Sequence, residues 1–335
     1  MSDARQTTFA IIGCGLVGRK RLDSLRPGQL VVTCDVDLRR AQAFVDAAGS
    51  GKVITKVDEA VSDAEVDAVI VSTPNGSLAA IANLAIRAGK HVLIEKPAAV
   101  SSTQITQLVE LAGQSKSCVR VGYNHRYHPA LQKARKLVDA GAIGPLMFIR
   151  GRYGHGGRRG YESEWRADPA ISGGGELIDQ GVHVIDLSSW FLGEFNCVNG
   201  HATTYFWDMP VEDNAFLSLQ TATGQTAWLH VSCTEWKNIF SLEIYGHAGK
   251  LHIEGLGGSY GVERLTYYSM RPELGPPDTT IWEFPGADSS WDLEMKAFLE
   301  DIELGRTPVP GLREAAATLQ VVERFYQQRS YSTKC

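Results

Sequence analysis

In the segment Gly173-Gly174-Gly175-Glu176-Leu177-Ile178-Asp179-Gln180-Gly181-Val182-His183-Val184-Ile185-Asp186-Leu187, the side chains of Asp179, His183 and Asp186 recur at i, i+4 and i+7. On a helix these three share one face. Ile178, Val182, Ile185 and Leu187 flank that face on both sides. A polar stripe inside an otherwise apolar helix must meet a ligand, water or buried partners, because an unpaired buried polar group is costly. A structural hydrogen-bond network is one competing account. A metal site is another, since His and Asp at i, i+4 can hold zinc. The sequence offers no third ligand nearby, so metal ranks last and none is expected.

A second constellation concerns a dinucleotide. Gly13-Cys14-Gly15-Leu16-Val17-Gly18 fits G-x-G-x-x-G, follows the apolar run Phe9–Ile12 and precedes a helical stretch. In that setting the glycines permit a tight turn and let backbone amides approach a pyrophosphate at a helix N-terminus. Asp35 ends the second apolar run, where a carboxylate would accept from the ribose hydroxyls of NAD and repel a 2′-phosphate. Arg39 and Arg40 follow within a turn and leave NADP as an alternative, against the plainer reading of two solvated charges at a helix start.

Three polar clusters each follow an apolar run: Ser72-Thr73-Pro74-Asn75, Glu95-Lys96-Pro97 and Tyr123-Asn124-His125-Arg126. In an open α/β sheet, strand carboxyl ends line the ligand crevice. Lys96 suits hydride chemistry there. Oxidation of a carbinol needs a proton acceptor and a donor that steadies the growing oxyanion. Glu95 could orient Lys96, and Pro97 stiffens the turn. An ordinary surface ion pair is the alternative.

These residues require elements to hold them. Phe9–Ile12, Leu30–Cys34, Ala68–Val71, His91–Ile94 and Cys118–Gly122 read as strands, with Lys52–Thr55 a candidate third in the series. Helical patterns at Leu38–Ala48, Leu78–Ala88 and Ser102–Ser115 alternate with them, which predicts a doubly wound parallel sheet. The second half differs. Ala215–Thr221, Thr226–Cys233 and Phe240–Tyr245 alternate with period two, as half-buried strands of a mostly antiparallel sheet do. Their outer face carries Trp228, His230 and Tyr245, which another subunit could cover or which could simply stand exposed. Glu294–Leu304 and Leu312–Gln328 read as closing helices, Gly255–Ser259 and Arg271–Asp278 as loops.

Composition narrows the classes of function. A net charge of −5 gives no reason to expect nucleic acid or an acidic membrane as a partner. No apolar run is long enough to cross a bilayer. The six cysteines lack a C-x-x-C pair, which argues against a disulfide framework and for a reducing compartment. Met1–Thr8 has no apolar core of a secretory signal, and Cys335 stands in the wrong place for a prenylation box. A cytoplasmic enzyme is expected.

Taken together, Gly13–Gly18, Asp35, Ser72–Asn75, Glu95-Lys96-Pro97 and Gly173-Gly174-Gly175 with Asp179 and His183 resemble the glucose–fructose oxidoreductase/inositol dehydrogenase (Gfo/Idh/MocA) family over essentially the whole chain. The resemblance implies an N-terminal Rossmann domain, set at 1–124, and a C-terminal α+β domain with a large open sheet, set at 125–335. It implies that Lys96 touches the reacting hydroxyl and that Asp179 and His183 are the acid/base pair. Cofactor contacts are expected from Gly13, Gly15, Leu16, Val17, Gly18, Asp35, Ser72, Thr73, Pro74, Asn75, Glu95 and Lys96. Substrate contacts are expected from Lys96, Asn124, Arg126, Tyr153, Trp165, Arg166, Asp179 and His183. Many members carry a histidine where this chain has Leu78, a departure that weakens contacts from that loop. A homodimer or homotetramer through the open sheet face is expected.

The basic, aromatic and Gly-rich stretch Arg152–Tyr161 reads as a loop and, with Trp165-Arg166 after it, could clamp a phosphate, diphosphate or carboxylate. A flexible solvated loop is the alternative for Arg158 and Arg159. The expected activity is therefore NAD-dependent oxidation of a secondary alcohol, or reduction of the ketone, of a sugar derivative, with a nucleotide-linked or phosphorylated sugar favoured. A free sugar or inositol is the nearest variant. A regulatory protein that senses dinucleotide without turnover is the rival from another class.

Overall fold

The computed structural model describes residues 6–328 and 331–332. Cys335 and the first five residues of the Met1–Thr8 stretch therefore lie outside the described residues. The chain forms two compact units. One comprises the residues up to Tyr123 together with Trp291–Ala316; the other comprises Asn124–Ser290 and the residues from Ala317 onwards.

The first unit alternates β1 (Phe9–Ile12), α1 (Leu16–Asp23), β2 (Leu30–Cys34), α2 (Leu38–Ala48), β3 (Lys52–Val53), α3 (Val57–Ser62), β4 (Ala68–Val71), α4 (Asn75–Arg87), β5 (His91–Glu95), α5 (Ser102–Gly113) and β6 (Val119–Gly122). All six strands are parallel, in the order β3-β2-β1-β4-β5-β6. This is the dinucleotide-binding order, with its switch point between β1 and β4. The strands read as near-continuous Val/Ile runs because helices cover both faces. Asp37 caps α2 by accepting from the Arg39 amide, and Ser101 caps α5 by accepting from that of Gln104.

The expected second domain ran unbroken from 125 to 335. The segment Trp291–Ala316 instead belongs to the first unit. Its side chains explain this. Met295 and Phe298 enter the core that holds Phe9, Ile11 and Leu93. Glu294 pairs with Arg21 at 2.7 Å, and Asp301 pairs with Arg120.

The second unit opens with α6 (Pro129–Asp139) and β7 (Leu146–Gly154), then α7 (Pro169–Ser172) and α8 (Val182–Leu192). Strands β8 (Phe195–Thr203), β9 (Asn214–Thr221), β10 (Thr226–Ser232), β11 (Ile239–Gly246), β12 (Gly249–Glu254), β13 (Glu263–Ser269) and β14 (Asp278–Phe284) follow. α9 (Ser290–Leu304), α10 (Leu312–Gln327) and β15 (Tyr331–Ser332) close the chain. The sheet order is β14-β13-β12-β11-β7-β10-β9-β8-β15, antiparallel except at β7/β10 and β8/β15. The inner face holds Leu217, Leu219, Ala227, Leu229, Val231, Phe240, Leu242 and Ile244, all buried, while Trp228 on the other face is 63% exposed. Arg152, Tyr153 and Gly154, expected in a loop, are the end of the central strand β7. Pairing with β10 on one side and β11 on the other holds them extended.

Candidate active site

The cofactor half lies in the first unit. Gly13 has φ +97°, and a Cβ there would stand 2.6 Å from the Ser72 carbonyl, so β1 can turn this closely past β4 only with glycine. Ser72 fixes the turn by donating from Oγ to the Gly13 carbonyl at 2.7 Å. Gly15 faces open space, and no side chain caps the first amides of α1. Asp35 accepts from the Cys14 amide at 2.7 Å and from the Asp37 amide at 2.8 Å, which locks its carboxylate beside the glycine turn. Leu16 and Val36 stand 79% and 104% exposed on either side. Free helix-end amides, an anchored carboxylate and two bare apolar side chains fit a dinucleotide's phosphates, ribose and ring. Arg39 and Arg40 both lie near Asp37, at 3.1 and 3.9 Å, as charges at a helix start. Ser77 donates to Thr73 at 2.8 Å, Pro74 precedes α4, and Asn75 opens it. Leu78 is fully buried in that helix, packed as core.

Lys96 follows directly on β5 and is partly exposed. Its expected orienting partner is committed elsewhere. Glu95 accepts from Arg21 Nε at 2.7 Å, and Arg21 also holds Glu294. One guanidinium thus ties the cofactor helix α1, the end of β5 and α9 around a fully buried charge. Burial holds the Glu294 carboxyl up at about 7, even against the attraction of Arg21.

The second unit holds the proton chemistry. Leu177–Gly181 forms a single π-helical turn before α8, where a plain α-helix was expected. Such turns are rare and occur preferentially at functional sites. Asp179 lies on it and His183 one residue into α8; both are buried. Asp179 accepts from Arg166 Nε at 2.9 Å, and the Arg166 guanidinium lies 4.5 Å from the Trp165 ring centroid. The His183 ring stacks on that of His125 at 3.8 Å, with Tyr153 edge-on to both. Burial pushes the Tyr153 hydroxyl well above its usual range.

Asp186 does not join this group. It forms a bidentate pair with Arg126, both bonds 2.7 Å, and both residues are buried. Arg126, expected at the substrate, is thereby committed to the fold. Asn124 donates to Ser290 at 2.9 Å, and its carbonyl oxygen lies 3.2 Å from His125 Nδ1. Asn124 thus positions the stacked histidine.

Gly175 makes room for an acidic cluster. A Cβ on Gly175 would fall 2.0 Å from the Glu212 carbonyl oxygen. The Glu212 carboxyl group accepts from the Gly175 and Leu177 amides at 3.2 and 3.1 Å and from the Tyr326 hydroxyl at 2.7 Å, so it is well satisfied. Glu176 is not. It is 2% exposed, and Oε1 accepts from the Tyr161 hydroxyl at 2.8 Å. Burial, then the negative charge of Asp179, raises its pKa to about 8. At neutral pH it is therefore largely a neutral acid.

Sequence reasoning singled out Asp179, His183, Tyr153, Trp165 and Arg166, which lie in this unit. It missed His125, Glu176, Tyr161 and Glu212 as site residues. His125 had a signal, since it lies in the polar run after β6. Glu212 had none, because its role appears only across a contact 35 to 37 residues distant. Among the described residues no cluster could hold a metal ion, and no helix is long and apolar enough to cross a membrane.

Two family profiles match the chain. The one described as "Oxidoreductase family, NAD-binding Rossmann fold" covers residues 7–123, and the "GFO/IDH/MocA C-terminal domain" covers 131–252. Levoglucosan dehydrogenase of Pseudarthrobacter phenanthrenivorans is 32% identical over 166 residues, an alignment spanning 49% of this chain but only 43% of that one. Inositol 2-dehydrogenase of Rhizobium meliloti is 24% identical over 94% of each chain. In fold, the chain is similar to a solved levoglucosan dehydrogenase in complex with NADH and L-sorbose, with a TM-score of 0.84 at 21% identity over 96% of this chain and 97% of the other.

Proposed function

The chain belongs to the Gfo/Idh/MocA oxidoreductase family, and from that premise we propose that it is an NAD-dependent dehydrogenase of an uncharged sugar, glycoside or cyclitol. The observation that carries the reading is the buried π-turn of the second unit. There a titratable imidazole, His183, stacks on His125 four residues from an arginine-held carboxylate, Asp179. Two of the arginines expected to grip a phosphate are already neutralised. Arg158 pairs with Glu164 at 2.7 Å and Arg166 with Asp179. This favours a neutral polyol over a phosphorylated or nucleotide-linked one. The names of the similar proteins, levoglucosan dehydrogenase and inositol 2-dehydrogenase, support the same reading.

When bound, NAD supplies the hydride acceptor. Gly15 leaves room for a pyrophosphate against the α1 amides, and Asp35 accepts from ribose hydroxyls and repels a 2′-phosphate. The Lys96 ammonium donates to the reacting oxygen and steadies the charge that grows there. His183 takes the hydroxyl proton and returns it in the reverse direction. Asp179, fixed by Arg166, stabilises the imidazolium or receives a substrate hydroxyl. The exposed Trp228 face of the large sheet suits a homo-oligomer.

A panel of hexoses, glycosides and inositols, incubated with NAD or NADP while reduced nicotinamide is followed by absorbance, tests the proposal. Turnover with NAD on at least one neutral polyol is expected. Tight NAD binding with no turnover across the panel would leave a dinucleotide sensor instead.

A further inference from the structure

At one end of the second sheet, five residues stand in a single row across five strands. Thr203 pairs with Asn214, Asn214 with Ser232, Ser232 with Gly154, and Gly154 with Ile239. The segments 155–168, 204–213 and 233–238 all leave the sheet from this row. Tyr153, edge-on to His183, is one residue behind it on β7.

Tyr205, Phe206, Trp207 and Trp236 lie on the last two of these segments. Phe206 meets Trp236 at 4.7 Å and 83°, and Trp207 at 5.1 Å and 90°. Tyr205, Phe206 and Trp236 are 65%, 59% and 65% exposed. They are not loose. The buried Asp213 carboxylate accepts from three successive amides, those of Tyr205, Phe206 and Trp207, at 2.8 to 3.1 Å. Trp207 Nε1 donates to the Cys233 carbonyl at 2.9 Å. Trp236 holds a left-handed backbone, φ +55°, which a bulky residue rarely adopts.

The cluster is continuous with the site. A Cβ on Gly157 would lie 2.3 Å from the Trp207 indole. Trp207 packs on Tyr161 at 5.5 Å, and Tyr161 donates to Glu176. Anchored aromatic faces left bare beside a polar site are expensive in water unless something apolar and flat covers them. The C–H face of a pyranose ring, or an aromatic aglycone, has that chemistry.

We propose that Tyr205, Phe206 and Trp236 form a stacking subsite for a second ring of the substrate, so that the preferred substrate is a two-ring glycoside. The inference rests on the dehydrogenase reading above. It is tested by comparing kcat/KM for maltose, cellobiose and phenyl α- and β-glucosides with that for the methyl glucosides, in the wild type and in F206A and W236A. The wild type should favour a two-ring compound at least tenfold. Both variants should collapse that ratio, and F206Y and W236F should restore it. Sugar and aryl second rings are told apart by which pair of compounds gives the preference. Equal rates on one- and two-ring compounds in the wild type would overturn the subsite and leave the dehydrogenase reading intact. Dissociation of an oligomer by F206A or W236A in light scattering would overturn it too, because a second copy would then cover the patch. If no compound turns over, titration of tryptophan fluorescence with the same panel decides. Saturable quenching lost in F206A supports the subsite, and its absence refutes it.

Discussion

Replacing Glu176 by Gln should stabilise the protein by an amount that grows with pH. The carboxyl is 2% exposed and titrates near 8, against an ordinary value of 4.5. Below about pH 4.5 the folded and unfolded chains both carry the proton, so pH has no effect through this group. Between 4.5 and 8 the folded chain keeps the proton and the unfolded chain releases it, so stability falls as pH rises. The slope for one such group is ~1.4 kcal/mol per pH unit. From pH 5 to 8 this accumulates to about 4 kcal/mol. Gln cannot titrate, yet its carbonyl can still accept from Tyr161, so E176Q escapes the loss. Urea unfolding of both proteins at pH 5, 6, 7 and 8, followed by tryptophan fluorescence, measures the difference directly. A gap that widens with pH agrees with the account. A gap that stays constant across the series would mean that Glu176 is ionised in the fold and that its burial does not raise its pKa.

The catalytic assignments give three further expectations. Lys96→Met should leave the melting temperature near wild type and cut kcat by roughly a hundredfold or more, the effect of losing one oxyanion donor; near-normal turnover in steady-state assays would make Lys96 an ordinary surface charge. His183→Asn should bind NAD normally in calorimetry but lose on the order of a hundredfold to ten-thousandfold in rate. Alcohol oxidation by the wild type should decline on acidification as the imidazole is protonated, and the variant's pH profile should lack that inflection. Asp35→Asn keeps an acceptor for the Cys14 amide but removes the charge, so the preference for NAD over NADP should fall by about tenfold or more, read from the two dissociation constants.

What could be read from the chain and what could not divide along sequence distance. The glycine turn and Asp35 were legible because backbone geometry dictates each residue locally: Gly13 by its approach to Ser72, and Asp35 by its position at the end of β2. The parallel sheet followed from strand–helix alternation. In the second unit the three strands with clean alternation were found. β7 was not, because Arg150, Gly151 and Arg152 interrupt its apolar pattern and its place is set by two neighbours far along the chain. The same limit governed the site. Glu95 looked like a partner for its neighbour Lys96, yet Arg21, 74 residues away, holds it. Arg126 looked free for substrate, yet Asp186, 60 residues away, takes its guanidinium. The spacing of Asp179, His183 and Asp186 suggested one shared stripe. Long-range pairs instead divide Asp179 from Asp186, giving one to Arg166 and the other to Arg126.

Direct transfer of hydrogen from a polyol carbon to nicotinamide leaves an isotopic signature. Inositol and methyl glucosides carrying deuterium at every ring carbon would be incubated with NAD, and the reduced nucleotide analysed by mass spectrometry. Reduced nicotinamide carrying one deuterium from the substrate is expected, with the ketone as co-product. Reduced nucleotide without deuterium, or binding of NAD with none of the polyols oxidised, would contradict it.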